Sequence, residues 1–343
     1  MKQSSTASIL HYFTYYNWTA RFLLSICCID TIIGCIGFSH GNGNTNNMLL
    51  KDRYLDRLGF TDHDARFFVQ IPSQKNLDRL IEAHLEHITF DNLSQHGLPY
   101  PACLDVEKTA HKLLDQKRGG FCFELNGLFG ELLQELGYTV KRVPAIVHAG
   151  PEVGFRHLAS HLILIVSCGG STNDEAYVVD VGFGEPAIHS LRYQTDLEQT
   201  TPEGMVSRLV LCKDDPQSVI LEWLQPDGTP DGSWSQRLKW EVNHPGQPLA
   251  NFQEGLDAVL EESSIFHKKL IVCRITRHEK ITLAGMRLKR STPRFGGEIS
   301  QIEDLPSLED VQRVLRDTFG VSNTEGLDLT KSTSAAPEMW TRM

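Results

Sequence analysis

The sequence predicts an α+β protein with a helical N-terminal domain, a strand-rich central domain and a mixed C-terminal domain. Three observations lead to this prediction. Apolar residues recur at helical spacing up to Gly137, segments rich in β-branched residues follow, and two strands and a helix come last. The chain has 343 residues, of which 41% are hydrophobic and 22% charged. This length and composition suit about two or three domains with ordinary cores.

The changes in composition predict five segments. We expect a leader at 1–47, a helical domain at 48–137, a strand domain at 138–248, an α/β domain at 249–323 and a polar, frayed tail at 324–343. No internal repeat is visible in the sequence.

The leader contains an apolar run at 22–38, followed by the polar linker 41–47. Asp30 interrupts the run, which is short for a membrane span. Three interpretations stay open: a secretory signal or anchor, a non-folding leader, or an over-long gene model whose true start is Met48.

Helices are predicted where apolar residues recur every three or four positions: 53–60, 76–88, 106–115 and 121–136. Gly59 and Gly137 stand where the first and last of these helices should end.

Strands are predicted in the central domain at 139–147, 161–166, 176–183, 208–212, 218–224 and 238–242. The turn-rich link 168–175 predicts that the second and third strands form a hairpin, and 225–235 reads as a surface loop. This pattern fits a small barrel or a sandwich.

The α/β domain is predicted to pair two strands, 268–276 and 280–290. A helix should begin at Ser307, with Asp310 three residues on, and end at Gly320.

Charge and cysteine content exclude several classes of protein. A formal net charge of −10 argues against a nucleic-acid or anionic-membrane partner. The eight cysteines are scattered, with no C-x-x-C pair, so we predict no metal site and no dense disulfide scaffold. The phosphate-binding and dinucleotide-binding glycine motifs are absent, as are G-x-S-x-G and H-E-x-x-H.

Cys122 is the first candidate for chemistry, because it stands at the predicted start of the helix 121–136. Free N–H groups and the helix dipole favour an anion there, so a thiol at this position ionises more readily. Gly119 and Gly120 would let another molecule approach the sulfur, and Arg118 adds positive charge. The alternative is a buried structural cysteine beside a turn.

His161 is the candidate base for this thiol, because it begins an otherwise apolar strand. A strand-end histidine bonded to a loop carbonyl is the alternative explanation, and His157 is a close competitor for the same role.

Asp180 completes the set, because it ends the apolar strand beside the one that His161 begins. On neighbouring strands of a hairpin, the carboxylate can fix the tautomer of His161 and raise its basicity. A turn-capping aspartate before Gly182 is the alternative.

Three segments carry a resemblance to a known family. RGGFCFELNGLF, HLILIV and VVDVGFG resemble the cysteine, histidine and aspartate motifs of the arylamine N-acetyltransferases, in the same order and at similar spacing. The link 168–175 absorbs a slightly longer gap between the last two. The resemblance runs from residue 48 to residue 320. It departs at the leader, at the polar tail and near Thr89, where the usual proline is replaced.

The resemblance implies a fold and an activity. The fold is a helical domain, a β-barrel and an α/β lid around a papain-like cysteine core. The activity is ping-pong transfer of an acetyl group from acetyl-CoA, through a thioester on Cys122, to an arylamine, arylhydrazine or N-hydroxyarylamine, as in xenobiotic metabolism. His161 and Asp180 would complete the catalytic triad.

The same resemblance implies five substrate-binding residues: Phe183, Gly182, Gly184, Arg118 and Phe121. It implies acetyl-CoA, or another acyl-CoA such as propionyl- or malonyl-CoA, as co-substrate, and no tightly bound cofactor. The expected compartment is the cytoplasm, with no membrane contact for the folded domains, although the leader leaves targeting open. The oligomeric state is not predicted.

Three other functions stay open at this point. A papain- or transglutaminase-like cysteine hydrolase would use the same three residues. A CoA-independent amide synthase would also form a thioester on the enzyme. A non-enzymatic binding protein for aromatic xenobiotics would leave Cys122 unreactive.

Overall fold

The structure is a computed structural model that describes residues 48–169, 175–225 and 233–330 together with residue 332. The described residues belong to one compact unit that begins at Met48. The predicted leader at 1–47 lies outside the described residues, as does most of the predicted link 168–175.

The N-terminal part is helical, as predicted. Its elements are α1 (Leu50–Arg57), α2 (His63–Val69), α3 (Gln74–His87), the short strand β1 (Phe90–Asp91), α4 (Val106–Ala110), which continues as a π turn, and α5 (Cys122–Glu135). Gly59 and Gly137 lie just beyond α1 and α5 with φ of +80° and +89°, in the left-handed conformation that ends a helix. The sequence did not predict α2.

The central part is one antiparallel sheet. Its strands are β2 (Thr139–Val147), β3 (His161–Ser167), β4 (Ala176–Val179), β5 (Leu191–Arg192), β6 (Gln199–Thr200), β7 (Val206–Cys212), β8 (Asp215–Gln225) and β9 (Ser233–Glu241). Their order is β5-β4-β3-β2-β9-β8-β7-β6. Of the predicted surface loop at 225–235, residues 225 and 233–235 belong to strands, and the rest lies outside the described residues.

The two edge strands of this sheet meet, so the sheet closes into a barrel rather than a sandwich. Gln199 on β6 accepts a hydrogen bond from the Arg192 N–H on β5 at 2.6 Å. Its amide donates to the Arg192 carbonyl at 2.9 Å. One side chain therefore replaces the ladder bonds that the two short strands do not make.

β3 explains why the predicted strand 161–166 is apolar at every position after the histidine. Leu162 and Leu164 belong to the core shared with the helices, whereas Ile163 and Ile165 belong to the core inside the barrel. Side chains alternate across a strand, so a strand covered on both faces loses its polar positions. His161 stands at the start of this buried strand.

The C-terminal part is the α/β domain. Its elements are α6 (Gln253–Leu260), α7 (Ile265–Lys268), β10 (Ile271–Ile275), β11 (Lys280–Ala284), β12 (Arg287–Ser291), β13 (Ile299–Asp304) and α8 (Leu308–Asp317). The second sheet has the order β1-β10-β11-β12-β13, so the helical part contributes one strand to it.

Two predictions for this part have clear outcomes. The predicted strand 280–290 is a hairpin of two strands, because Gly285, with φ of +62°, turns the chain between them. The C-terminal helix is confirmed: Ser307 caps α8 by accepting from the Asp310 N–H at 3.2 Å, and Gly320 follows it with φ of +74°.

The prediction of a frayed tail is wrong for residues 324–330. Leu327 is buried in the same core as Leu93 and Leu98. The Asp328 N–H donates to the His96 carbonyl at 2.9 Å. Spaced leucines in a polar segment were enough to dock it against the helical part.

None of the helices within the described ranges is long and apolar enough to cross a membrane.

Candidate active site

Cys122 is the first residue of α5, as the sequence predicted. The start of this helix is fixed by a buried ion pair. The Glu124 carboxylate accepts from the Phe121 N–H at 3.1 Å, and Lys112 Nζ lies 3.0 and 3.1 Å from its two oxygens. Burial raises the pKa of Glu124, whereas the Lys112 ammonium opposes that rise. These contacts fix the position of the first turn of α5.

The loop that precedes α5 is held by contacts with Asp91 and Pro99. The Arg118 guanidinium is buried, lies 3.4 Å from Asp91 Oδ1 and donates to the Pro99 carbonyl at 3.2 Å. The Gly119 N–H donates to Asp91 Oδ2 at 2.8 Å. A Cβ at Gly119 would lie 1.9 Å from the Thr89 carbonyl oxygen. The glycine thus permits close packing inside the protein, whereas the sequence had suggested that it leaves room for a ligand.

His161 is buried at the first position of β3. Its Nε2 lies 2.7 Å from Asp180 Oδ2, and the Cys122 thiol, whose sulfur lies 3.9 Å from the Ser160 carbonyl oxygen, is near enough to act on the charge of the ring. Burial by itself would lower the pKa of His161, but the nearby Asp180 carboxylate and Cys122 sulfur outweigh it and raise the pKa to about 10. The imidazole is therefore positively charged at neutral pH.

Asp180 follows the last residue of β4, and both oxygens of its carboxylate have hydrogen-bond partners. Its Oδ2 faces His161, and its Oδ1 accepts from the Asn126 amide and from the Gly182 N–H, both at 2.8 Å. These donors fix the orientation of the carboxylate. The prediction that His161 and Asp180 lie at neighbouring strands is confirmed, because β3 and β4 pair antiparallel.

Asn126 is a site residue that sequence reasoning missed. It lies one helical turn after Cys122 on α5 and is completely buried. Its amide also donates to the Leu162 carbonyl at 2.7 Å, and its oxygen accepts from the Val181 N–H at 2.8 Å. A polar residue at i+4 from Cys122, in an apolar helix, was the signal that could have revealed it.

Gly182 allows β4 to end against α5. A Cβ at this position would lie 2.6 Å from Cys122 Cα, closer than any side chain tolerates. The chain that carries Asp180 can approach Cys122 this closely only because residue 182 is glycine.

A pocket of about 710 Å³ opens over the sulfur. Five phenylalanines line it together with aliphatic residues: Phe90, Phe121, Phe155, Phe183 and Phe266. The Phe183 ring packs edge-on against the His161 ring, with centroids 5.1 Å apart. Such a pocket suits a flat, apolar ligand.

The five predicted substrate-binding residues separate into two groups. Phe121, Gly182 and Phe183 line this pocket. Gly184 lines a separate space of about 20 Å³, and Arg118 is held in the ion pair with Asp91 beneath the loop. The three pocket residues remain proposed substrate contacts, whereas Arg118 occupies a structural position.

The competitor His157 also lines the pocket, but it is exposed. His161, not His157, makes the hydrogen bond with Asp180. Three further basic residues of the pocket wall, His148, Arg156 and Arg237, were not singled out from the sequence.

The fold and this site define a cysteine enzyme of the acyl-transfer type: a thiol at a helix start, a buried imidazolium beside it and a carboxylate behind the imidazolium. Comparison with known proteins identifies the family. A family model described as N-acetyltransferase matches residues 73–326. The arylamine N-acetyltransferase of Mycolicibacterium smegmatis is 31% identical over 268 residues, which is 73% of this chain and 92% of that protein. The chain belongs to the arylamine N-acetyltransferase family.

Solved structures agree with this assignment. The enzyme from Salmonella typhimurium matches with a TM-score of 0.69 at 26% identity, covering 83% of this chain and 96% of that one. The Mycobacterium marinum enzyme in complex with CoA matches with a TM-score of 0.66 at 28% identity, covering 79% and 92%.

Proposed function

We propose that the protein moves an acetyl group from acetyl-CoA to an arylamine, arylhydrazine or N-hydroxyarylamine through a thioester on Cys122. One observation carries the proposal. Cys122 and His161 line the same aromatic pocket, and Asp180, 2.7 Å from His161 Nε2, helps to raise the pKa of the imidazole to about 10, so the ring is protonated at neutral pH. Family membership supports it.

In the first half-reaction the Cys122 thiolate attacks the thioester carbonyl of acetyl-CoA. The bond from carbon to the CoA sulfur breaks, and the proton of the His161 imidazolium passes to the departing CoA thiolate. Asp180 stabilises the imidazolium before this transfer and holds its orientation afterwards. The acetyl group then remains on Cys122.

In the second half-reaction the amine nitrogen attacks the acetyl-cysteine carbonyl. The neutral His161 imidazole takes the proton that the nitrogen loses. The bond to the Cys122 sulfur breaks, and the thiolate and imidazolium are restored. Both half-reactions therefore use one histidine in opposite protonation states.

The pocket favours the amine over water. Its phenylalanine and aliphatic side chains limit the access of water to the sulfur, so transfer to an acceptor can be faster than hydrolysis of the thioester. Arylamines are mostly neutral near pH 7 and enter without the cost of removing water from a charge. Because the donor is an acyl-CoA, we place the reaction in the cytoplasm.

The test separates the two half-reactions. Purified protein is incubated with acetyl-CoA alone, desalted and examined by peptide mass spectrometry. We expect one equivalent of CoA released and one acetyl group on the peptide that contains Cys122. Addition of aniline should then remove the acetyl group and yield acetanilide.

Two variants complete the design. Cys122→Ala should take up no acetyl group and lose turnover, whereas Cys273→Ala, which removes a second buried thiol, should behave as the wild type. A folded wild-type protein that leaves Cys122 unmodified contradicts the proposal. Continuous CoA release without an acceptor would favour a hydrolase instead.

A further inference from the structure

Arg237 on β9 is a cation of the active-site pocket whose charge no described carboxylate balances. Within residues 48–169, 175–225 and 233–330, no carboxylate pairs with it, and its Nε is buried without a hydrogen-bond partner. Arg208 on β7 shows the usual arrangement: its Cζ lies 3.9 Å from the centroid of the Trp234 ring, and its guanidinium pairs with Glu222 at 2.8 Å.

Aromatic rings hold the Arg237 side chain in place. Its Cζ lies 4.4 Å from the centroid of Trp223, 4.8 Å from that of Phe295 and 5.3 Å from that of Phe183. Ring faces attract a cation but accept no directed hydrogen bonds. The planar N–H groups of the guanidinium thus remain available to a ligand in the pocket that Arg237 lines.

Apart from the Cys122 thiol, the ionisable residues described in the pocket wall are all basic. The described lining contains Arg156 and Arg237 with three histidines, and no aspartate or glutamate. This contrasts with the net charge of −10 for the whole chain. Burial lowers the pKa of Arg237 to about 10, so the group still carries its charge at neutral pH.

His148 stands next to Arg237 as a second donor. Its backbone N–H donates to the Arg237 carbonyl at 2.9 Å, and burial together with the Arg237 charge lowers its pKa. Its Nδ1 accepts from the Gly150 N–H at 3.3 Å, so the neutral ring carries its proton on Nε2. The pocket wall therefore offers a guanidinium and a neutral N–H side by side.

Arg237 and His161 lie beside the same phenylalanine ring. The His161 ring lies 5.1 Å from the Phe183 ring, and Arg237 Cζ lies 5.3 Å from that same ring. One phenylalanine side chain thus separates the catalytic imidazole from the guanidinium. 4-Aminobenzoate likewise holds its amine and its carboxylate on opposite sides of one aromatic ring.

We propose that Arg237, assisted by His148, forms a subsite for a carboxylate group of the substrate. The proposal rests on the acyl-transfer function above. The carboxylate belongs either to the acceptor, as in an aminobenzoate, or to the acyl group, as in the CoA thioester of a dicarboxylic acid. A guanidinium recognises a carboxylate with two parallel, charge-assisted hydrogen bonds, and a neutral isostere loses them.

The experiment measures kcat/KM for matched charged and neutral substrates. The acceptor arm compares 4-aminobenzoate with 4-aminobenzamide, using acetyl-CoA. The donor arm compares malonyl-CoA with butyryl-CoA, using aniline. Each preference is measured in the wild type, in Arg237→Met and in Arg208→Met, so intrinsic differences in reactivity cancel between the proteins.

We expect one arm to show a preference for the charged substrate that falls by about 10- to 100-fold in Arg237→Met, as for the loss of a charge-assisted pair. The preference should be unchanged in Arg208→Met. The arm that responds identifies the source of the carboxylate. If Arg237→Met does not fold, Arg237→Lys, which keeps the charge but loses the fork, should retain part of the preference.

A wild type without a preference in either arm overturns the subsite, and so does a preference that survives Arg237→Met. Acetyl transfer from acetyl-CoA to aniline by the wild type is the separate reference. Its absence would contradict the proposed function itself.

Discussion

Cys122 and Cys273 are two buried thiols with opposite surroundings. They are 6% and 5% exposed. Cys273 lies in the middle of β10, with its sulfur 3.7 Å from Thr282 Oγ1, and burial raises its pKa to about 12. Cys122 lies at a helix start, beside His161, and faces the large pocket. Burial alone raises the pKa of a thiol and makes it inert, whereas a positively charged neighbour and access from a pocket make a thiol reactive.

The two thiols differ in the side chains and cavities that surround them. Cys273 has neighbours typical of a strand, and the small cavity it lines is about 20 Å³. Around Cys122, Asn126 and Asp180 fix an imidazolium that would otherwise be costly to bury. If this support is removed, Cys122 should come to resemble Cys273.

Asp180→Asn should have the largest effect of the changes that leave the thiol in place. The amide cannot stabilise the imidazolium and favours the wrong tautomer, so kcat/KM should fall by ~10⁴-fold. Quenched assays of acetanilide formation measure the loss of kcat/KM, and circular dichroism checks that the variant is folded. A loss below tenfold would show that the carboxylate has no catalytic role.

Alkylation compares the two thiols directly. At neutral pH, iodoacetamide should modify Cys122 more than ~10³-fold faster than Cys273, because only a thiolate reacts and the raised pKa keeps Cys273 protonated. Timed quenching and peptide mass spectrometry give both rates from one sample. Equal rates in the folded protein would remove the distinction between the two sites.

Asn126→Ala should have an intermediate effect. It removes donors to Asp180 and to the Leu162 carbonyl and leaves the Val181 N–H unpaired. We expect kcat/KM to fall by about 10- to 100-fold. The rate of Cys122 alkylation near neutral pH should fall as well. Unchanged alkylation with reduced stability would make Asn126 purely structural.

The smallest effect concerns stability and pH. The folded pKa of His161 is about 10, above the ordinary value of 6.5, so folding favours the protonated ring. This stabilisation is fully present below pH 6.5 and is lost as pH rises towards 10. The Tm of the wild type should exceed that of Asp180→Asn by a few degrees at pH 6, and the gap should close by pH 10. Differential scanning calorimetry measures both, and a gap that widens with pH would contradict this assignment.

Much of the site was predictable because its residues break local patterns. Cys122 follows a glycine pair at a helix start, His161 opens an apolar strand, and Asp180 ends one. Each is a polar or reactive group where packing alone would favour an apolar one. The hairpin prediction then brought His161 and Asp180 together, and β3 and β4 confirm that pairing.

Other contacts had no local pattern. Arg237 lies on β9, and His148 follows β2. These two strands are far apart in the sequence and pair only in the folded barrel, which brings both residues to the pocket wall. Arg118 was predicted to contact the substrate. In the structure its guanidinium forms an ion pair with Asp91 of β1, which is distant in the sequence. Residues 324–330 appeared polar enough to fray, and their docking depends on a surface far away in the chain.

The sequence by itself determined the α+β class, the helix ends at Gly59, Gly137 and Gly320, and the choice of Cys122, His161 and Asp180 as candidates, because backbone conformation and local polarity are properties of neighbouring residues. The tertiary structure alone decided which cation is paired and which is left facing the pocket. Ionisation depends on burial and on charges brought close by folding, and these belong to residues far apart in the chain.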